Sequence, residues 1–91
     1  MNKNLQELRK KIDEIDKKII ELIENRVELS KNVAETKRIS GLEIIDEKRE
    51  KELIESKKNL SVLDEDFIEE LFTLIIKNSR KVQVYENQRK S

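Results

Sequence analysis

Apolar side chains recur at alternating steps of three and four residues through the first third of the chain. One row consists of Leu5, Leu8, Ile12, Ile15, Ile19, Leu22, Leu29 and Val33. A second row widens it into a face and consists of Ile20, Ile23, Val27 and Ala34. With no Gly or Pro inside it, this pattern predicts one amphipathic helix from about residue 4 to about residue 38. Where the first row requires another apolar residue, the chain has Arg26.

Two shorter apolar patterns follow, and each begins after an aspartate that can cap a helix. Gly41, the only glycine, suits the left-handed position that follows the end of the first helix. Asp46 precedes a second helix predicted at about residues 47–57, and Asp64 precedes a third at about residues 65–88. No stretch has the pattern of a strand pair, so the expected fold class is all-α with three helices.

The first helix is too long for a compact chain of this size. At 1.5 Å per residue it spans about 50 Å. A compact domain of 91 residues has a radius of gyration of about 12 Å. We expect one domain over residues 1–91, and the rest of that domain cannot cover such a helix. A partner subunit is therefore expected to cover it.

The charges of the chain balance, with 20 basic and 20 acidic side chains. Because a surface that binds nucleic acid or a membrane usually carries an unbalanced basic face, neither partner is expected. The sequence has no Cys and no His, which excludes thiolate nucleophiles and Ser-His or Cys-His pairs. An enzyme of this composition must work mainly by positioning and electrostatics, and we expect no metal or cofactor. No signal peptide or membrane span is recognisable, so a cytoplasmic location is expected.

Polar side chains lie on the apolar faces of all three predicted helices. They are Arg26 and Lys37 on the first helix, Asp46, Arg49 and Glu50 on the second, and Ser79 and Gln83 on the third. Each set alone has an ordinary explanation, such as a charge that fixes helix register or a surface ion-pair cluster. Together they describe a pocket between three helices in which cations outnumber carboxylates. A small dianion would balance that charge.

Arg9 lies about 25 Å along the helix axis from Arg26, so it cannot reach the same pocket from the same chain. In an antiparallel pair of long helices, Arg9 of one subunit would approach Arg26 and Lys37 of the other. The expected dimer would then hold two sites, each completed in trans. Taken alone, Arg9 is also compatible with an ordinary solvated arginine.

Several runs of the sequence resemble one protein family, and their spacing is more specific than any single run. The first helix contributes Leu8-Arg9-Lys10-Lys11-Ile12-Asp13-Glu14-Ile15-Asp16, Asn25-Arg26-Val27-Glu28-Leu29 and Lys37. The second contributes Ile45-Asp46-Glu47-Lys48-Arg49-Glu50, and the third Leu71-Phe72-Thr73-Leu74-Ile75-Ile76-Lys77-Asn78-Ser79 and Gln83. Over about residues 5–86, the chain resembles the all-helical chorismate mutases.

This resemblance implies a three-helix subunit in an intertwined homodimer that converts chorismate to prephenate without metal or cofactor. It implies that the substrate is bound by Arg26, Lys37, Asp46, Arg49, Glu50, Ser79 and Gln83, with Arg9 from the partner chain. The reaction is an intramolecular Claisen rearrangement, in which arginines suit the two substrate carboxylates. Lys37 and Gln83 are expected to donate to the ether oxygen and Glu50 to accept from the ring hydroxyl. Arg26 completes the expected catalytic set.

Two other functions are compatible with the same residues. The first is a lyase of the same fold that removes pyruvate from isochorismate, which needs closely similar residue types. The second is a non-enzymatic helical dimerisation or adaptor module, in which the charge at Arg26 only fixes helix register. Such a module predicts that replacing Arg26 with Leu stabilises the dimer and that no small dianion raises its melting temperature.

Overall fold

Three α-helices joined by two short loops make up the computed structural model, which describes residues 2–90. Helix α1 is Asn2–Ser40, α2 is Glu47–Leu60 and α3 is Glu65–Lys90. The all-α class and the three predicted helices are confirmed. The helices extend two or three residues beyond their predicted ends, because the outermost turn of a helix carries little apolar signal in the sequence.

Gly41 follows the last residue of α1 in the left-handed position that the sequence predicted. Gly41 has a φ of 69°, in the left-handed region that favours residues without a Cβ atom. Its amide donates to the carbonyl of Arg38 at 3.3 Å, and the amide of Leu42 donates to the carbonyl of Lys37 at 2.8 Å. These two bonds form a Schellman motif, which turns the chain sharply away from α1.

The two predicted aspartate caps are also confirmed. Asp46 accepts a hydrogen bond from the backbone N–H of Arg49 at 3.0 Å through Oδ1. Asp64 accepts one from the backbone N–H of Phe67 at 3.0 Å through Oδ2. Each bond satisfies an amide that the first turn of a helix leaves without a partner. The caps therefore set where α2 and α3 begin.

Helix α3 packs against both α1 and α2. It runs parallel to α1, since Ser79 contacts Arg26 and the later Gln83 contacts Lys37, about three turns further along α1. It runs antiparallel to α2. Glu69, near the start of α3, pairs with Lys58 near the end of α2, and Arg80 further along α3 pairs with Glu50 near the start of α2. The buried apolar side chains in the described residues are few, namely Ala34, Ile68 and Ile76. The single chain thus has a small core, centred on α3.

The first half of α1 extends away from this core. The chain measures 59 × 28 × 14 Å and has a radius of gyration of 17.0 Å, well above the value of about 12 Å expected for a compact domain of this length. Every residue from 4 to 25 is exposed, including the apolar ones. No helix within residues 2–90 is both long enough and apolar enough to span a membrane.

Candidate active site

A cavity of about 340 Å³ lies where the three helices meet. This volume falls within the range of small-molecule sites, about 300–1,000 Å³. The seven side chains that the sequence predicted for one pocket all line it: Arg26, Lys37, Asp46, Arg49, Glu50, Ser79 and Gln83. The structure therefore brings together residues from all three helices around a single cavity.

Arg26 enters this cavity from α1 and is held there by α3. Its Nη1 group donates a hydrogen bond to Ser79 Oγ, and Ser30 Oγ lies 3.4 Å from the same oxygen. Both serines are buried. Ser79 replaces part of the hydration that the half-buried guanidinium loses, and Ser30 contacts Ser79 from α1. Arg26 keeps its other N–H groups as potential donors to a ligand, because a guanidinium carries five.

Lys37 also lines the cavity, on the same face of α1 as Arg26 and about three helical turns further along. Its Nζ donates to the backbone carbonyl of Ile44 at 2.6 Å and to Gln83 Oε1 at 3.3 Å. An ammonium has three N–H donors, so one remains for a ligand. Gln83 uses its carbonyl oxygen for Lys37, which leaves its two amide N–H groups as donors.

The start of α2 forms the open side of the cavity. Asp46 and Arg49 both line the cavity and both are exposed. Arg49 therefore lines the cavity without being buried by the single chain. Arg49 belongs to the first turn of α2, on the outer side of the site, and nothing in residues 2–90 covers it enough to bury it.

Glu50 is held by a residue that the sequence analysis missed. Arg80 of α3 donates from Nε to Glu50 Oε2 at 2.8 Å and from Nη2 to Glu50 Oε1. Arg80 also lines the cavity. A signal for it was present, because Arg80 follows Ile76 by one helical turn and so shares the face of α3 that packs on α2. The pairing itself requires the antiparallel arrangement of the two helices.

Positive charge exceeds negative charge around this cavity. Four cationic side chains, of Arg26, Lys37, Arg49 and Arg80, line it together with two carboxylates, of Asp46 and Glu50. Burial lowers the pKa of Arg26, and the nearby positive charge of Arg49 lowers it further. Both causes disfavour the charged guanidinium. An anion bound beside Arg26 would oppose them.

Arg9 is the one predicted site residue that lies elsewhere. It is exposed in the first half of α1 and is absent from the lining of the cavity. About 25 Å of helix separates it from Arg26. Around this cavity the single chain therefore brings together seven of the eight predicted residues, without Arg9.

Three helices around a cavity with excess positive charge are the features of an all-helical protein that binds a small anion. The chain belongs to the chorismate mutase type II family, whose family model matches residues 8–84. This range contains all eight predicted site residues, and the membership supports chorismate mutase function. No curated protein and no solved structure matches the chain in the corresponding comparisons.

Proposed function

We propose that this protein catalyses the rearrangement of chorismate to prephenate, a step in the biosynthesis of the aromatic amino acids phenylalanine and tyrosine. The observation that carries the proposal is the cavity in which four cations face two carboxylates. Its excess of two positive charges matches the two carboxylates of chorismate. The reaction breaks a C–O bond and forms a C–C bond within one molecule, so a sequence without Cys or His has the groups that it needs.

The arginines are proposed to bind the substrate carboxylates. Arg26 and Arg49 present guanidinium groups to the cavity, and the planar fork of a guanidinium binds a carboxylate through two parallel hydrogen bonds. Ser79 is proposed to assist one carboxylate, since its hydroxyl can donate while its oxygen accepts from Arg26. Holding both carboxylates selects the compact conformer of a flexible substrate, which lowers the entropic part of the barrier.

Lys37 and Gln83 are proposed to stabilise the transition state. Negative charge develops on the ether oxygen as the C–O bond breaks, and donors aimed at that oxygen stabilise the transition state more than the substrate. The bond from Lys37 to Gln83 supports this role because it holds the two donor groups side by side before the substrate arrives. Each retains at least one N–H group for the oxygen.

Glu50 is proposed to accept a hydrogen bond from the ring hydroxyl of the substrate. Its carboxylate lines the cavity at the start of α2. The backbone N–H of Asp46 is proposed to help at the same hydroxyl, because amides before the first helical turn point away from the helix toward the site. The hydroxyl would then donate a hydrogen bond to Glu50 and accept one from the backbone N–H of Asp46.

A second copy of the chain is proposed to complete the site in an intertwined homodimer that acts in the cytoplasm. Along the first apolar row of α1, from Leu5 to Val33, the eight side chains keep 43% to 67% of their surface exposed. Fully burying one Leu or Ile side chain contributes about 1.5–3 kcal/mol, so covering this row strongly favours association. An apolar cavity of about 240 Å³ between α1 and α3, beside Arg26, offers further surface for a partner helix.

An antiparallel pairing of α1 with its copy supplies the missing arginine. In such a pair the partner's Arg9 lies opposite Arg26 or Lys37 when the two-fold axis crosses α1 between about residues 18 and 23. The exposed apolar row continues through that segment at Ile19 and Leu22. A single pairing would therefore both bury the apolar row and bring Arg9 to the exposed side of the partner's cavity.

The direct test is to add the purified protein to chorismate and to follow its conversion to prephenate. We expect turnover with chorismate, without added metal or cofactor. Isochorismate is supplied in a parallel reaction, with release of pyruvate as the readout of lyase activity. No prephenate from chorismate would contradict the proposal, and faster pyruvate release from isochorismate would assign the site to the lyase instead.

A further inference from the structure

The contact between Arg80 and Glu50 joins α2 to α3 at the cavity. Two N–H groups of Arg80 contact the two oxygens of the carboxylate, with one bond at 2.8 Å from Nε to Oε2 and a second from Nη2 to Oε1. Both side chains are partly buried, with 37% and 19% of their surface exposed. A two-point contact of this kind fixes the plane of the carboxylate as well as its position.

The same pair forms part of the wall between two cavities. Glu50, Ile76 and Arg80 line both the cavity of about 340 Å³ and a neighbouring one of about 290 Å³. The second cavity is otherwise lined by Ile54, Thr73 and Lys77. Without Arg80, the Glu50 side chain would be free to rotate toward this second cavity, away from the site. The hydrogen bonds to Glu50 also raise the pKa of Arg80, which further favours its charged form.

We propose that Arg80 is a positioning residue for Glu50: its guanidinium holds the carboxylate in the orientation that accepts the hydroxyl of the substrate. This inference rests on the proposed function of the same site. Each carboxylate oxygen has more than one acceptor position, so the bonds to Arg80 leave Glu50 able to accept from the substrate. In this proposal Arg80, which also lines the cavity, acts through Glu50 rather than by binding the substrate.

The first experiment compares Arg80→Met with Arg80→Lys. Met keeps much of the length of the side chain and removes both charge and hydrogen bonds, whereas Lys keeps the charge without the two-point contact. We expect kcat to fall by about 10- to 100-fold in Arg80→Met, the range for losing a residue that orients a ligand-binding group. KM should change less than kcat, because the orientation of the reacting conformer is what is lost. Arg80→Lys should recover part of kcat.

The second experiment asks whether Arg80 acts through Glu50. We expect the double variant Glu50→Gln/Arg80→Met to be no less active than Glu50→Gln alone, because Arg80 then has no carboxylate to orient. Multiplying losses would overturn the inference, since Arg80 would then act by another route. Lys81→Met, which removes an exposed cation from the neighbouring position, is the matched control and should keep the wild-type kcat.

The outcomes separate this inference from the proposed function. Wild-type protein that leaves chorismate unchanged contradicts both. Active wild-type protein with an Arg80→Met variant of equal kcat contradicts only the role of Arg80. Circular dichroism and thermal unfolding verify that each variant is folded. Should Arg80→Met fail to fold, Arg80→Lys decides: a kcat equal to that of the wild type overturns the inference, and a reduced kcat at unchanged melting temperature supports it.

Discussion

Lys37 contacts three separate parts of the fold around the cavity. Its carbonyl accepts the bond from Leu42 that ends α1, and its ammonium contacts both the loop carbonyl of Ile44 and the Gln83 side chain of α3. The residue that we propose to stabilise the transition state is therefore held in place from three directions. Such preorganisation is what makes a charged donor effective in catalysis.

We predict that Lys37→Ala lowers kcat by at least about 10²-fold, the scale for losing one donor to a developing oxyanion. Lys31→Ala is the matched control, because Lys31 belongs to the same helix but pairs with Glu28 at the surface, at 3.1 Å. Steady-state kinetics with chorismate measure both variants. A folded Lys37→Ala protein with near-normal kcat would remove Lys37 from the proposed mechanism.

At the residue scale, the sequence predicted which side chains share a cavity better than how each one is held. Spacing along three helices was sufficient to group Arg26 and Lys37 with the residues of α2 and α3. The bond from Lys37 to the carbonyl of Ile44 was not predictable, because backbone carbonyls of a loop carry no sequence signal. The pair of Arg80 with Glu50 depends on how α2 and α3 are aligned, and periodicity within one helix does not contain that information.

The loop after α1 is the element in which backbone conformation and the site are coupled. Gly41 adopts a φ of 69°, and an added Cβ atom would contact nothing within 4 Å. The cost of Gly41→Ala is therefore conformational: we predict a loss of about 1–2 kcal/mol in the free energy of unfolding. Because the loop carries the Ile44 carbonyl that binds Lys37, kcat should also fall.

Gly41→Asn is the control for this prediction. Asn tolerates the left-handed region better than Ala, so its loss of unfolding free energy should be the smaller of the two. Chemical denaturation measures the stability of both variants, and chorismate turnover measures the effect on the site. If Ala and Asn are equally harmless, the conformation of Gly41 does not determine the stability of this turn.

At the scale of the helices, the sequence predicted their number and order and the first residues of α2 and α3, while α1 begins two residues before its predicted start. The predictions rested on strong local signals. These were the first apolar row for α1 and the capping side chains of Asp46 and Asp64 for α2 and α3. The ends were less exact, since α2 continues three residues beyond its predicted end to Leu60. Lys57 and Lys58 lie in the last turn of α2. Basic side chains are favoured near the end of a helix, but they do not define its final residue.

The whole molecule is longer than its own core can cover. The length of α1 predicted this from the sequence, and the structure agrees: residues 4–25 are exposed throughout. The identity of a covering partner was not derivable from composition, because an apolar row has no inherent preference between a copy of itself and another protein. The requirement to bring Arg9 to a second cavity is what favours a copy of the same chain.

We predict that two inactive variants restore each other's activity when refolded together. Arg9→Ala and Arg26→Ala should each be nearly inactive alone, because both sites of each homodimer lack an arginine. In a heterodimer, one site combines an intact Arg26 with an intact Arg9 from the other chain. With random pairing of equal amounts, about one quarter of the wild-type activity should return. Absence of any recovery would mean that each site is built from one chain.

The homodimer proposed above makes folding depend on protein concentration, because its second copy would cover the exposed apolar row along the first half of α1. A chain with so small a core would then gain much of its stability on association, so dilution below the dissociation constant should unfold it and abolish turnover together. The melting temperature should accordingly rise with the amount of protein in the sample, as mass action requires. In the cell, the quantity of enzyme made would then influence the specific activity of each molecule, and not only the total rate.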